Sequence, residues 1–362
     1  MTLFTPTRLH PARHARAVLA AVCVVGVGCG RAPATPAATA AAEADPVAGV
    51  ARLGPPTDLR VTFLGTGAPR PSFERYGPST LVEAGPMTVL VDPSSGLRER
   101  LLQAGGFELI TAIDHVLLTH LHYDHTVGLP DLWLTGWLYG RRTPLVVEGP
   151  AGTRAMMDHL QQAFAWDTAY RKAVGVPAAG VAIDARDVGP GVVFERDGLT
   201  VTAFEVEHMP IDIATRERLP FEGQTFGLRF DYHGRSLVLS GDTRFSETLI
   251  AQAQGADVLV HEVQVPSPDE TEEAKLANVS LSVHSEPKDA AKVFARTRPR
   301  MAVYSHIIPP EVTEAQLRAA TPYDGPMTVA HDLMMITIGS EIVVADRPHA
   351  VSRSFEQSQA IR

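Results

Sequence analysis

The chain has 362 residues, 45% of them apolar and 20% charged, enough for one large α/β domain or two small ones with a sizeable core. Its formal net charge of −9 is a poor starting point for gripping long polyanions, except through a local basic patch. No apolar run beyond residue 50 approaches the roughly 18 residues that a membrane-spanning helix needs, so membrane association belongs to the N-terminus.

Residues 1–29 read as a signal peptide. Arg8, Arg13 and Arg16 come without an acid, and the apolar stretch Ala17 to Gly28 has the length of a secretory core and is too short to span. It ends Val25-Gly26-Val27-Gly28-Cys29, like a bacterial lipobox with Gly26 where a larger aliphatic residue is usual. Lipidation of Cys29 and ordinary cleavage nearby are both open. Residues 30–57, rich in Ala, Pro and Thr, read as a disordered tether. The protein is therefore expected to be exported, as a periplasmic protein or a membrane-anchored lipoprotein. Losing the three leader arginines takes the charge from −9 to −12. Both cysteines, Cys23 and Cys29, sit in this region, so any metal in the folded body must be held by nitrogen and oxygen.

From residue 58 the pattern is αβ-like. Leu59 to Leu64 reads as a strand stopped by Gly65-Thr66-Gly67, and strands follow at 80–84 and 88–91. A helix over 97–105 ends at Gly105-Gly106, and Ile113 to Thr119 reads as a buried strand. Further strands are expected at 199–206, 225–231, 235–240, 257–260 and 301–304. The stretch 210–224, including Phe221, reads as a loop, and 170–190 as a surface insertion. The folded body spans 58–346 and a C-terminal tail spans 347–362.

The informative segment is Thr119-His120-Leu121-His122-Tyr123-Asp124-His125, followed by Gly128-Leu129-Pro130. Three imidazoles and a carboxylate directly after an apolar strand are costly to bury unless a cation gathers them. Alternation puts His120 and His122 on one side of an extended segment, while Asp124 and His125 turn into the next helix. One loop thus addresses two metal positions.

These residues match the His-x-His-x-Asp-His signature of the metallo-β-lactamase superfamily, and the chain resembles that family over roughly residues 58 to 345. The likeness is closest to the ribonuclease Z and arylsulfatase-like branch, through Phe63-Leu64-Gly65-Thr66-Gly67, Pro78-Ser79-Thr80, His261-Glu262-Val263 and His284-Ser285. The resemblance implies an α/β fold, a single-domain, four-layer αββα sandwich. It also implies a ligand set completed by His208, Asp242 and His306, each expected at a strand end. One metal would take His120, His122 and His208, the other Asp124, His125 and His306, with Asp242 bridging. Two zinc ions are the first expectation, with manganese or iron(II) as alternatives. Such a pair lowers the pKa of a shared water and presents hydroxide to a polarised centre. Asp124 would orient that hydroxide or take its proton, and His284 would protonate the leaving group or steady the developing charge. Glu262 would orient a ring nitrogen from behind.

Ribonuclease Z proteins carry a projecting basic arm between the third histidine and the bridging aspartate. Here only 34 positions separate His208 from Asp242, which implies that the arm is absent. With the export signal and acidic body, this places nucleic acid below a small anionic or activated ester, a phosphodiester or aryl sulfate, as substrate. The loop at 210–224 and the 166–190 region would shape its pocket. Ribonuclease Z-like endoribonuclease, lactonase and β-lactamase are the alternatives among hydrolases. An iron-dependent oxidoreductase or a non-catalytic binder is the alternative from another class. A homodimer is common among similar proteins. His115, His159, His233 and His331 read as solvated or structural, and Trp133, Trp137 and Tyr139 as core packing ahead of substrate stacking.

Overall fold

The computed structural model describes residues 57–349, apart from 213, 216, 221, 222, 268, 270, 272, 273, 275 and 276. The leader with Cys23 and Cys29, the tether up to residue 56, Phe221 and the tail from residue 350 lie outside the described residues. Among those described, no helix is long and apolar enough to cross a membrane.

Two mixed sheets form the frame. In spatial order the first holds β15 (Ile342–Asp346), β14 (Met334–Ile338), β1 (Leu59–Gly65), β2 (Ser79–Ala84), β3 (Met87–Val91), β4 (His115–Leu117), β5 (Leu145–Gly149) and β6 (Ile183–Asp187). The second holds β13 (Met327–Val329), β12 (Met301–Ile308), β11 (Val258–Gln264), β10 (Arg235–Leu239), β9 (Phe226–Tyr232), β8 (Leu199–Glu205) and β7 (Gly191–Arg196). Strands β3 to β6 are parallel, as are β10 to β13.

Period-two alternation explains the layering. In β1, Leu59, Val61 and Phe63 face the second sheet, while Leu64 faces outward. In β3, Val89 and Val91 point inward and Leu90 outward. Both faces are therefore apolar, which is why these strands read as nearly continuous hydrophobic runs. The outer face of the first sheet is covered by α1 (Leu97–Thr111), α2 (Leu129–Leu138) and α3 (Thr153–Ala163) through Leu101, Trp133 and Met157. That of the second is covered by α4 (Glu247–Gln252) and α5 (Pro287–Thr297) through Leu249, Val293 and Phe294. The result is the expected single-domain αββα sandwich.

Four local expectations are corrected. Gly105-Gly106 does not end α1: Gly106, at φ 71, kinks it, and the helix resumes to Thr111. The 170–190 segment is no loose insertion but carries β6, paired in parallel with β5. The carbonyls of Pro177 and Val181 accept from the indoles of Trp137 and Trp133. As an edge strand with Asp184, Arg186 and Asp187, β6 lacks the apolar signal of a central one. Both tryptophans are buried as core, whereas Tyr139 is 49% exposed and stacks on Phe107. Finally, the fold runs past residue 346. Arg347 is buried, ion-paired with Glu83, and donates to the Ala104 carbonyl and Thr62 Oγ1 at 2.9 Å each.

Gly128 couples the frame to the chemistry. Its N–H donates to the Pro93 carbonyl at 2.9 Å, and a Cβ there would lie 2.3 Å from the Ser94 carbonyl oxygen, a backbone atom that cannot swing away. Gly128→Ala should therefore cost about 1–3 kcal/mol in urea unfolding, and it should lower the zinc content of purified protein by displacing the turn that carries Asp124 and His125. Unchanged stability and full zinc content would contradict this account.

Candidate metal centre

The segment 119–125 leaves the C-terminal end of β4, and Asp92, at the end of β3, fixes it. The Asp92 carboxylate accepts from Thr119 N at 2.8 Å, from Thr119 Oγ1 at 2.7 Å and from His125 Nδ1 at 2.9 Å. Asp92 itself sits at φ 55, a left-handed conformation that an aspartate tolerates better than most residues. His120 Nδ1 lies 3.0 Å from Thr119 Oγ1. Since that hydroxyl is spent on Asp92, its oxygen accepts the imidazole N–H. His208, just beyond β8, donates Nδ1–H to the Val283 carbonyl at 2.9 Å. Three hydrogen bonds made away from the centre thus set ring orientation and leave the Nε2 lone pairs of His120 and His208 aimed inward.

Asp242 follows β10 after Gly241, whose φ of 60 and whose approach to the Phe226 carbonyl (a Cβ would be 2.2 Å from the oxygen) admit only glycine. His306 departs from the expectation of a strand end. It lies inside β12, where the pairing with β11 jumps from His261↔Tyr304 to Val263↔Ile307, so two residues oppose Glu262. This bulge, with His306 at φ 48, turns its ring into the site.

The seven side chains converge. His120 Nε2 is 2.8 Å from His122 Nδ1, which is 3.3 Å from His208 Nε2. His125 Nε2 is 3.3 Å from His306 Nε2, and both lie near Asp124 Oδ2, at 3.6 and 3.7 Å. Asp242 Oδ2 stands between the groups, 3.4 Å from the Nε2 atoms of His125 and His306 and 3.8 Å from those of His120 and His208. His120, His122 and His208 form one cluster of ligand atoms within 4.8 Å of one another, and Asp124, His125 and His306 another.

The donor set fits divalent metal. Inward lone pairs outnumber the hydrogens able to satisfy them, and the buried Asp124 Oδ2 has no hydrogen-bond partner. Burial holds His120 well below the ordinary histidine range, reinforced by the charge of His125. Burial likewise lowers His208 to about 4. Both are neutral at pH 7, the form in which an imidazole can take a metal ion. His125 behaves oppositely: burial opposes its charge, but Asp242 and Asp92 on either side raise it well above the ordinary range.

His284 stands beside this cluster, its ring centroid 4.7 Å from that of His208 and 5.8 Å from that of His306. Its Nδ1 is 3.1 Å from Glu262 Oε1, which also accepts from Thr243 N at 3.1 Å and Ser285 N at 3.0 Å. Burial disfavours the imidazolium, yet Glu262 and the charge of Asp242 outweigh it and push His284 up to about 9.

Two residues escaped the sequence reading. Asp92 ends the apolar strand Met87–Val91, and a carboxylate in Val91-Asp92-Pro93 was the available signal. Asp332 had none. It lies 26 residues beyond His306, yet its carboxylate accepts from Thr66 N, Thr66 Oγ1, Tyr76 N and Arg100 at 2.8–3.0 Å. The Thr66 carbonyl in turn accepts from Ile307 N at 3.0 Å, next to His306. Of the histidines read as bland, His115 is buried beside Glu148, while His331 is exposed and paired with Asp346.

Residues 87–307 match the family model described as a beta-lactamase superfamily domain. The ribonuclease Z of Mycobacterium sp. strain KMS is 32% identical over 293 residues, 79% of this chain and 98% of that protein. Among solved structures, human tRNase Z, short form, superposes with a TM-score of 0.55 at 23% identity, covering 77% of this chain and 99% of that one. The metallo-beta-lactamase fold protein YhfI from Bacillus subtilis gives 0.56 at 17%, covering 76% and 98%. At those identities the two structures speak to the fold.

The raised pKa of His125 has a measurable consequence. In metal-free protein its proton stabilises the fold most fully below the unfolded value of about 6.5, and that contribution is lost as pH rises through the folded value. A divalent ion bound through His125 would have to displace this proton. Calorimetric titration with zinc at pH 7 in buffers of differing ionisation enthalpy should therefore show about one proton released, and His125→Asn should abolish most of that buffer dependence.

Proposed function

Given that the chain belongs to the ribonuclease Z family of the metallo-β-lactamase superfamily, we propose that it cleaves phosphodiester bonds in RNA. It is a metal-dependent hydrolase. What supports RNA as substrate is the match to ribonuclease Z over 98% of that protein's length, in a chain that keeps all seven clustered side chains together with the His284–Glu262 pair. This reverses the order in which the sequence alone ranked small anionic and sulfate esters above nucleic acid.

In this reading His120, His122 and His208 would hold one divalent ion and Asp124, His125 and His306 a second, with Asp242 as a ligand available to either cluster; zinc is the first candidate. Such ions supply Lewis acidity and lower the pKa of water. The chain's own residues do the rest. Asp124, beside His125 and His306, would orient the attacking water or take up its proton. His284 keeps a proton at physiological pH, and its ring faces those of His208 and His306, so it is placed to protonate the departing oxygen. Glu262 holds that imidazole by Nδ1 and is itself held by two backbone N–H groups.

One observation favours a second reading, hydrolysis of a small phosphodiester. Between His208 and Asp242, β9 and β10 take up 226–232 and 235–239, which leaves only 209–225 for a projecting arm to grip folded RNA. Zinc-loaded protein should cut a precursor transfer RNA carrying a 3′ trailer as well as bis(4-nitrophenyl) phosphate. Turnover of the small ester without the RNA selects the second reading. Turnover only of an aryl sulfate, a lactone or a cephalosporin defeats both. Export with lipidation at Cys29 also stands as a proposal, and labelled palmitate incorporation that vanishes in Cys29→Ala would test it.

His284→Gln should lower kcat by roughly 10²–10⁴ with zinc content intact. Glu262→Gln should shift the alkaline limb of kcat towards lower pH, because the carboxylate that keeps the His284 proton is gone. A kcat profile identical to wild type would remove His284 from the proton-transfer role.

A further inference from the structure

A cavity of about 570 Å³, lined in part by Gln264, Val265 and Pro309, lies outside the cluster described above. Two contacts tie its wall to the catalytic residues. The backbone N–H of Gln264 donates to the carbonyl of Ser285, next to His284, at 2.8 Å, and that of Val265 donates to the Ile308 carbonyl, two residues past His306, at 2.7 Å. Gln264 is also two strand positions from Glu262, about 7 Å along β11. The volume falls within the range of about 300–1,000 Å³ typical of small-molecule sites.

The lining selects by chemistry. Val265, Pro309 and Val312 present apolar surface, while Gln264 and Ser267 contribute uncharged polar groups. Gln264 is 93% buried, and its Oε1 accepts from Ser280 Oγ at 2.7 Å, which fixes the amide and leaves its N–H₂ end as the donor for a ligand. The charged residues of the lining, Arg70 and Glu311, face each other at 3.4 Å. A wall of apolar surface and amides, with its cation already engaged by a carboxylate, suits a flat neutral heterocycle with a hydrogen-bonding edge better than a second phosphate.

We propose that this cavity receives the nucleobase and ribose of the nucleotide adjoining the bond that is cut, with the Gln264 amide reading the base edge. The assignment rests on the phosphodiester reading and adds to it a subsite that recognises a nucleoside rather than a phosphate. Adenosine monophosphate is a suitable probe, and inorganic phosphate is the control that shares only its anion.

Calorimetry on zinc-loaded protein should show adenosine monophosphate binding at least about tenfold more tightly than inorganic phosphate. Ser267→Trp fills the cavity from an exposed position and Gln264→Leu removes the amide; each should cut that preference to about threefold or less. Equal affinities in the wild type, or a preference that survives both variants, overturns the proposal. Turnover of bis(4-nitrophenyl) phosphate, measured on the same wild-type sample, separates the two claims. A nucleotide preference without phosphodiester turnover defeats the proposed reaction and leaves the subsite standing, whereas turnover without the preference does the reverse.

Discussion

One carboxylate oxygen organises this protein. Asp242 Oδ2 lies within 3.8 Å of imidazole nitrogens from His120, His125, His208 and His306, which arrive from three separate segments. Removing so many polar groups from water is affordable only if their lone pairs have a common cation to address. Much else near the site can be understood as meeting that requirement. The glycine before Asp242 permits a sharp turn against the Phe226 carbonyl, and the bulge in β12 turns one residue of a regular strand towards the centre.

Orientation matters as much as convergence. An imidazole has two nitrogens, and the one facing the metal position is decided by what the other binds. Asp92, Thr119 and the Val283 carbonyl make that decision for His125, His120 and His208. Glu262 does something similar for His284, with a carboxylate as Asp92 does for His125, and in both the outcome is a proton retained, whereas the neutral acceptors on His120 and His208 leave a lone pair exposed. Two neighbouring groups of histidines thus acquire opposite chemical characters from their outer partners.

The sequence disclosed the layers and the cluster because both have short-range signatures. Buried strands are apolar runs, and His120-Leu121-His122-Tyr123-Asp124-His125 is compact enough to read directly. What stayed hidden depends on contacts between distant segments. β6 looks polar because it is an edge, and Arg347 looks like tail until Glu83 is beside it. His306 has the residue type expected of a ligand, but its bulge is a property of two strands in register, not of either alone. Asp332 reaches the site only through Thr66 and Ile307, a path that no motif spacing encodes.

The cluster draws His120, His122, Asp124 and His125 from the end of the first sheet, and His208, Asp242 and His306 from the second. A cation bound there is consequently a rivet through the whole sandwich, and its binding energy adds to the cohesion of the two halves by mass action. Resistance to unfolding would then be set partly by the surroundings: the same polypeptide would be sturdy where a fitting divalent ion is plentiful and frail where chelators keep it scarce.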